Sequence, residues 1–320
     1  MNFWHLCLSP DPEKYIDNRE QTCNTIFLVI SVSLGHKPKY GERADNIYTK
    51  VKVFMTTKAL CVMLPLLVAL FAGCAKTDGN GTLVVGMELA YPPFETKDKN
   101  GDPSGVSVDF SKEFAQYIGK AVRIENIAWA GLIPSLQTDK IDMVISSMTI
   151  RDDRLKEVDF SDPYANALLA ILSSKSSGIA SVDDLNQTGR KIAIKNGTTG
   201  HFYAQDNLTN AELVVLEDES ACVMEVSQGK ADGFIYDQLT IYRNWQNNLE
   251  TTSALFIPFQ NVEKWGVAVK KGNTELLSQL NEFIKKYSSE GGFDQLTQKY
   301  LSDEKKAFDE LGFAWFFDLK

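Results

Sequence analysis

The chain has 320 residues, 44% of them hydrophobic and 23% charged, and a formal net charge of −9. That length accommodates two compact domains. The acidic balance argues against a nucleic-acid partner, which needs a basic face, and leaves small ligands open because local charge decides those.

Residues 1–54 show no sustained period and no glycine-rich motif, so no function is read from them. The first strong signal is "MTTKALCVMLPLLVALFAGCAK", from Met55. Lys58 precedes an apolar run of 15 residues, Ala59 to Gly73, and small residues lead to Cys74. A basic start, a short apolar core and small residues before a cut site predict an exported signal segment. A membrane span, the competing reading, needs about 20 apolar residues. Translation is expected to begin at Met55, with 1–54 an upstream extension and 55–74 the signal. The Ala-Gly-Cys ending resembles a bacterial lipobox, which implies lipidation at Cys74. Phe71 departs from the aliphatic residue usual there.

Five cysteines are present, and Cys222 alone would survive processing at Cys74 as a free thiol. His201 is the one histidine of the exported part. Ser-His, Cys-His and zinc chemistries would all have to share it, so neither metal nor cofactor is expected.

From Thr82 the periods alternate. "TLVVGMEL" reads as a strand ending at Glu88. "VSVDFSKEFAQYIG" has helical spacing and closes at Gly119. "VRIENIAW" reads as a strand, "AGLIPSLQTDK" as a helix, and "IDMVISS" as a strand ending at Ser146 and Ser147. "LLAILSS" then crosses to a second unit. In it, "KIAIKNGTTGHFYAQ" is strand, glycine turn and helix; "ELVVLED" is a strand, "SACVMEVSQGK" a helix and "ADGFIYD" a strand ending at Asp237. "KWGVAVKKG" returns as a strand, and "TELLSQLNEFIKKYSSEGG" is a closing helix. Strands separated by helices predict parallel sheets with crossover helices, and ligands beyond the strands' carboxyl ends. The expected division is α/β throughout: lobe 1 from 82–172 plus 265–320, lobe 2 from 173–264, and two hinge strands crossing near 170–175 and 262–268. The tail "FDELGFAWFFDLK" is unusually aromatic.

Four separated blocks, "MELAYPPFE", "WAGLIPSLQTDKIDMVISSMTIRDDRLKEVDFSDPY", "IKNGTTG" and "DGFIYD", together resemble the polar amino-acid solute-binding proteins of bacterial ABC importers, family 3. The resemblance covers roughly 82 to 300. It implies a bilobal type II periplasmic-binding-protein fold that closes on one amino acid and presents it to ABC permease subunits. Val106 and Ala130 depart from the family's usual residues, which touches the detail of the wall rather than the fold. Such a protein is expected to be a monomer held to the membrane only through its lipid, with a free polar amino acid as its ligand.

An α-amino acid carries a carboxylate and an ammonium. A buried carboxylate calls for a fork-shaped cation and N–H donors. Arg154 and Arg151 both qualify, and the resemblance points to Arg154; an ion pair with Asp152, Asp153 or Glu157 is the competing role. Thr149, Thr198 and Thr199 offer further donors, the last two on a strand-to-helix turn suited to anions. The resemblance implies Asp237 for the ammonium, beside Ser146 and Ser147; capping the next helix is its plainer role. Pro92 and Pro93 stiffen the chain around Tyr91. By resemblance Tyr91 and Trp129 sandwich the ligand side chain, and Phe94 belongs to the core. Glu88 stands where relatives for cationic or amide ligands often carry a carboxylate, which favours arginine or lysine, then glutamine, unless a lysine or arginine of the protein claims it. The alternatives are an enzyme on this scaffold, such as a dehydratase with Glu88 as its acid–base group, or a sensor without transport. The N-x-[ST] matches at Asn80, Asn186, Asn196 and Asn207 are read as chance.

Overall fold

The computed structural model of the protein describes residues 81–256 and 259–319. The upstream extension 1–54, the signal segment 55–74 and Cys74 lie outside the described residues. All the described residues belong to one body, Thr77–Lys320.

In chain order, β1 (Thr82–Met87) leads to a short hairpin of β2 (Thr96–Lys97) and β3 (Pro103–Ser104). Helix α1 (Val106–Tyr117) follows. Its apolar residues recur every four positions at Val106, Phe110 and Phe114, all buried, and Gly119 ends it at φ 70 in the left-handed region, which glycine reaches without a Cβ clash. Next come β4 (Ala121–Asn126), a 3-10 turn (Trp129–Gly131), α2 (Leu132–Gln137), β5 (Met143–Val144), α3 (Asp152–Glu157) and β6 (Val158–Phe160). Short strand β7 (Ala165–Ala167) precedes β8 (Leu169–Ser174), all six of whose residues are buried. The second half contains α4 (Val182–Leu185), β9 (Lys191–Lys195), α5 (Thr199–Asn207), β10 (Glu212–Leu216), α6 (Glu219–Ser227), β11 (Gly233–Asp237), α7 (Gln238–Asn247) and β12 (Thr252–Leu255). The chain returns through β13 (Glu263–Trp265) and β14 (Ala268–Lys270), and closes with α8 (Thr274–Ser289), α9 (Gly292–Tyr300) and α10 (Ser302–Leu311).

Two five-stranded sheets result, ordered β4-β1-β5-β14-β6 and β10-β9-β11-β8-β12. The fold is bilobal α/β, with one sheet per lobe. The sheets are mixed rather than wholly parallel: β14 runs antiparallel to β5 and β6, and β8 to β11 and β12. The reason is topological. Each of these strands enters its lobe from the other one, with no crossover helix to reverse it. The crossing also falls earlier than the 170–175 expected from sequence. Strand β8 lies in the second sheet from Leu169 onward, and the connection is β7, which pairs antiparallel with β13 as a separate two-stranded ribbon. "KWGVAVKKG" is thus two strands, one in the hinge and one in the first lobe's sheet.

The aromatic tail packs on the first lobe and braces the hinge. Asn166 of β7 donates its backbone N–H to the Phe316 carbonyl at 2.6 Å, and Phe316 stacks on Trp265 of β13 with ring centroids 6.1 Å apart. Phe308 is fully buried and meets Tyr242 of the second lobe as well as Phe313, Trp315 and Phe316. Deleting a buried aromatic side chain removes its transfer free energy and leaves a cavity. Phe308→Ala is therefore expected to destabilise the protein by about 3–5 kcal/mol, read from chemical denaturation.

Candidate functional site

The cleft between the lobes is lined by the carboxyl ends of β1, β4, β5, β9 and β11, where crossovers leave backbone groups and side chains pointing outward. It measures about 560 Å³, counting the part open to solvent. Glu88, Tyr91, Trp129, Ser146, Ser147, Thr149, Arg154, Thr198, Thr199 and Asp237 all line it.

Arg154 sits on α3 and is only 5% exposed. It donates through Nη1 to the Thr149 carbonyl at 2.8 Å, and through Nη2 across the cleft to the Gly197 carbonyl at 3.0 Å. The arginine ion pairs among the described residues are Arg123–Glu125, Arg151–Asp153, Arg190–Asp232 and Arg243–Glu304. Arg151, not Arg154, takes the neighbouring Asp153. Burial, then the Arg151 charge, pulls the Arg154 guanidinium down to about 10, so it stays charged at neutral pH. A buried cation hydrogen-bonded to carbonyls and in no ion pair remains a strong attractor for an anion.

Around it, Thr199 Oγ1 donates to Thr149 Oγ1 at 3.0 Å. Thr198 caps α5, its hydroxyl accepting from the His201 N–H at 3.4 Å and donating to the Lys195 carbonyl at 2.8 Å. Gly197 holds the turn at φ 67, and Gly200 allows α5 to rest against the Ile235 carbonyl of β11, where a Cβ would collide. Thr198, Thr199 and Gly200, which start α5, line the cleft, and the first N–H groups of a helix have no intrahelical partner.

Across the cleft, Asp237 ends β11 and is buried. One oxygen, Oδ1, accepts from the Thr240 N–H at 3.0 Å and caps α7. Capping and lining are thus combined in one carboxylate. Burial raises its pKa. Ser147 is held at φ 50, in the left-handed region that costs non-glycine residues energy.

Tyr91 stacks on Phe94 at 5.6 Å and meets Tyr236 and Trp265 edge-on. The bond between Pro92 and Pro93 is cis. Phe94 is fully buried in the core. Trp129 also lines the cleft, its Nε1 donating to the Gly197 carbonyl at 3.0 Å, with the Arg154 guanidinium 5.2 Å from the ring centroid. Glu88 is claimed from within the protein. Its Oε2 pairs with Lys195 Nζ from β9, and its Oε1 accepts from the Trp129 N–H at 3.2 Å.

Sequence reading missed Lys195, Glu95, Glu263, Gln260, Tyr236 and Trp265. All but Lys195 line the cleft. The alternation in "KIAIK" ends on Lys195, and that was its only available signal. Glu95 is 1% exposed, with Oε2 accepting from Ser107 Oγ at 2.6 Å and Ser147 Oγ at 3.4 Å, and its Oε1 has no partner.

A sequence model of the bacterial extracellular solute-binding proteins, family 3, matches residues 83–303. The L-cystine-binding protein TcyJ of Escherichia coli (strain K12) is 30% identical over 228 residues, covering 71% of this chain and 85% of that protein. Among solved structures, the ancestral amino acid-binding protein AncCDT-1, a precursor of cyclohexadienyl dehydratase, is 36% identical with a TM-score of 0.63, covering 69% of this chain and 95% of that one. An ancestral arginine-binding protein bound to glutamine is 33% identical with a TM-score of 0.63, covering 69% of this chain and 98% of that one. The chain belongs to the bacterial extracellular solute-binding proteins, family 3.

Burial pushes the Glu95 carboxyl from 4.5 up to about 8, against the hydrogen bonds from Ser107 and Ser147. The folded state therefore prefers the protonated acid. Its contribution to stability is full below about pH 4.5 and is lost as pH rises through about 8. Glu95→Gln is expected to melt increasingly above the parent protein across that window in thermal denaturation. An unchanged pH profile would contradict the assignment.

Proposed function

We propose that the protein captures one polar α-amino acid outside the cytoplasm by closing its lobes, and presents it to the permease of an ABC importer without chemistry of its own. Family membership supports the transport setting. The observation that carries the ligand class is the buried Arg154, unpaired with any described carboxylate, in one cleft with Asp237.

In this reading the ligand carboxylate meets Arg154, with donors from Thr149, Thr198, Thr199 and the start of α5. The ammonium meets Asp237, with Ser146 and Ser147 beside it. Tyr91 and Trp129 flank the side chain, and Glu88 borders its far end. Lobe closure then brings the α5 donors and Asp237 onto a ligand already resting on Arg154. A lipid on Cys74 would hold the monomer at the membrane surface; no helix among the described residues is long and apolar enough to cross one. The dehydratase alternative relies on Glu88 as its acid–base group, and the Lys195 ion pair occupies that carboxylate.

Titration calorimetry against the twenty amino acids tests the proposal, with arginine, lysine and glutamine first. Arg154→Met should weaken every ligand that binds, by about 2–5 kcal/mol, as loss of a buried charge partner does. Unchanged affinity in that variant would remove Arg154 from the site.

A further inference from the structure

The side-chain end of the cleft differs from its backbone end in one respect: its charge is already balanced. Glu88 directly follows β1 in the first lobe and Lys195 ends β9 in the second, and the two side chains are 15% and 5% exposed. Their contact spans the lobes. The ammonium reaches Glu88 Oε2 from the far side, while Oε1 is fixed by the Trp129 N–H. Both oxygens of the carboxylate are thereby engaged by the protein itself.

We infer that Lys195 is a specificity-determining residue, acting as a built-in counter-ion that reserves Glu88 and restricts the ligand to α-amino acids whose side chains are uncharged hydrogen-bonding groups. The inference rests on the amino-acid reading above and narrows it, away from the cationic ligands that Glu88 alone would favour.

Charge counting across the cleft supports it. Arg154 and Asp237 form one complementary pair, matched by a zwitterion of zero net charge. Glu263 faces Arg151 and Arg154, and burial raises its pKa. Glu95 is kept protonated by burial, with a pKa of about 8. What remains in the lining is uncharged polar capacity: Glu95 Oε1 and Gln260 Nε2 are buried in the wall without hydrogen-bond partners among the described residues. A carboxamide can both donate and accept there. An arginine or lysine ligand would have to displace Lys195 and leave a buried ammonium unpaired, which is strongly unfavourable.

The contact also differs from a surface ion pair in being conditional on closure. Lys195 meets Glu88 only when β9 is brought against β1. The pair and the ligand therefore favour the same lobe arrangement, and a ligand that breaks the pair works against its own closure.

The test is calorimetry with glutamine, asparagine, arginine and lysine on the parent protein, on Lys195→Met, and on the doubly neutral Lys195→Met/Glu88→Gln. The parent should bind its best neutral ligand at least about tenfold tighter than arginine or lysine. Lys195→Met frees the carboxylate, and the ratio should move towards the cationic ligands by at least about tenfold. The double variant keeps the site uncharged and should show no such move, and it remains a measurable fold if the single variant, with its lone buried carboxylate, does not. A parent that prefers arginine or lysine, or a double variant that gains them, overturns the inference while leaving the amino-acid reading intact. Silence from all twenty amino acids overturns both.

Discussion

A guanidinium that is 5% exposed and joined only to two carbonyls is the constraint around which this molecule is arranged. Water has been removed from Arg154, and no described carboxylate stands within ion-pair distance to replace it; Asp153 and Glu263 act on it only from further off. Carbonyl dipoles soften that cost without cancelling it. One of the two carbonyls, that of Gly197, belongs to the opposite lobe, so the charge that attracts an anion also takes part in joining the lobes. The same Gly197 oxygen receives the Trp129 indole N–H. A single turn between β9 and α5 thus gathers the cation, one aromatic wall and the helix N–H groups. Its φ of 67 and the tight seat of Gly200 explain why glycines stand there.

The opposite pole follows a similar economy. Asp237 stabilises the first turn of α7 with one oxygen and borders the cleft. Its position is set by β11, central in the second sheet, rather than by a loop. Strand ends, short helices and the hinge ribbon fix the two poles relative to each other. Pre-organisation of this kind limits the entropy lost when a small zwitterion is bound.

Much of this was legible in the sequence because local period and chain order carry it. The 3.6-residue rhythm of Val106, Phe110 and Phe114 gave α1, and continuous apolar runs marked β1, β8 and β11. The ten candidate residues fall at strand ends, in the segments that follow them, or on the short helices and turns begun there, as Arg154 and Trp129 do, and they line one cleft. What escaped depends on partners far away in sequence. The boundary between the lobes was placed too late because "YANA" has no period of its own; it becomes a strand only by pairing with "EKW" nearly a hundred residues on. Lys195 ends the strand "KIAIK" with nothing local to mark it, and its contact with Glu88 arises only when the second lobe meets the first. Glu95 stands two residues after the prolines with no local sign of burial, and packing beneath Ser107 and Ser147 takes it out of water.

The ribbon of β7 and β13 leaves very little chain in which lobe rotation can be absorbed. Trp265 is on that ribbon, sandwiched among Tyr91, Phe94 and Phe316. An indole is therefore built into the pivot itself, touching a cleft wall on one side and the carboxyl-terminal tail on the other. Opening and closing alter the packing around that ring, so ultraviolet emission offers an intrinsic, label-free optical gauge of the hinge angle.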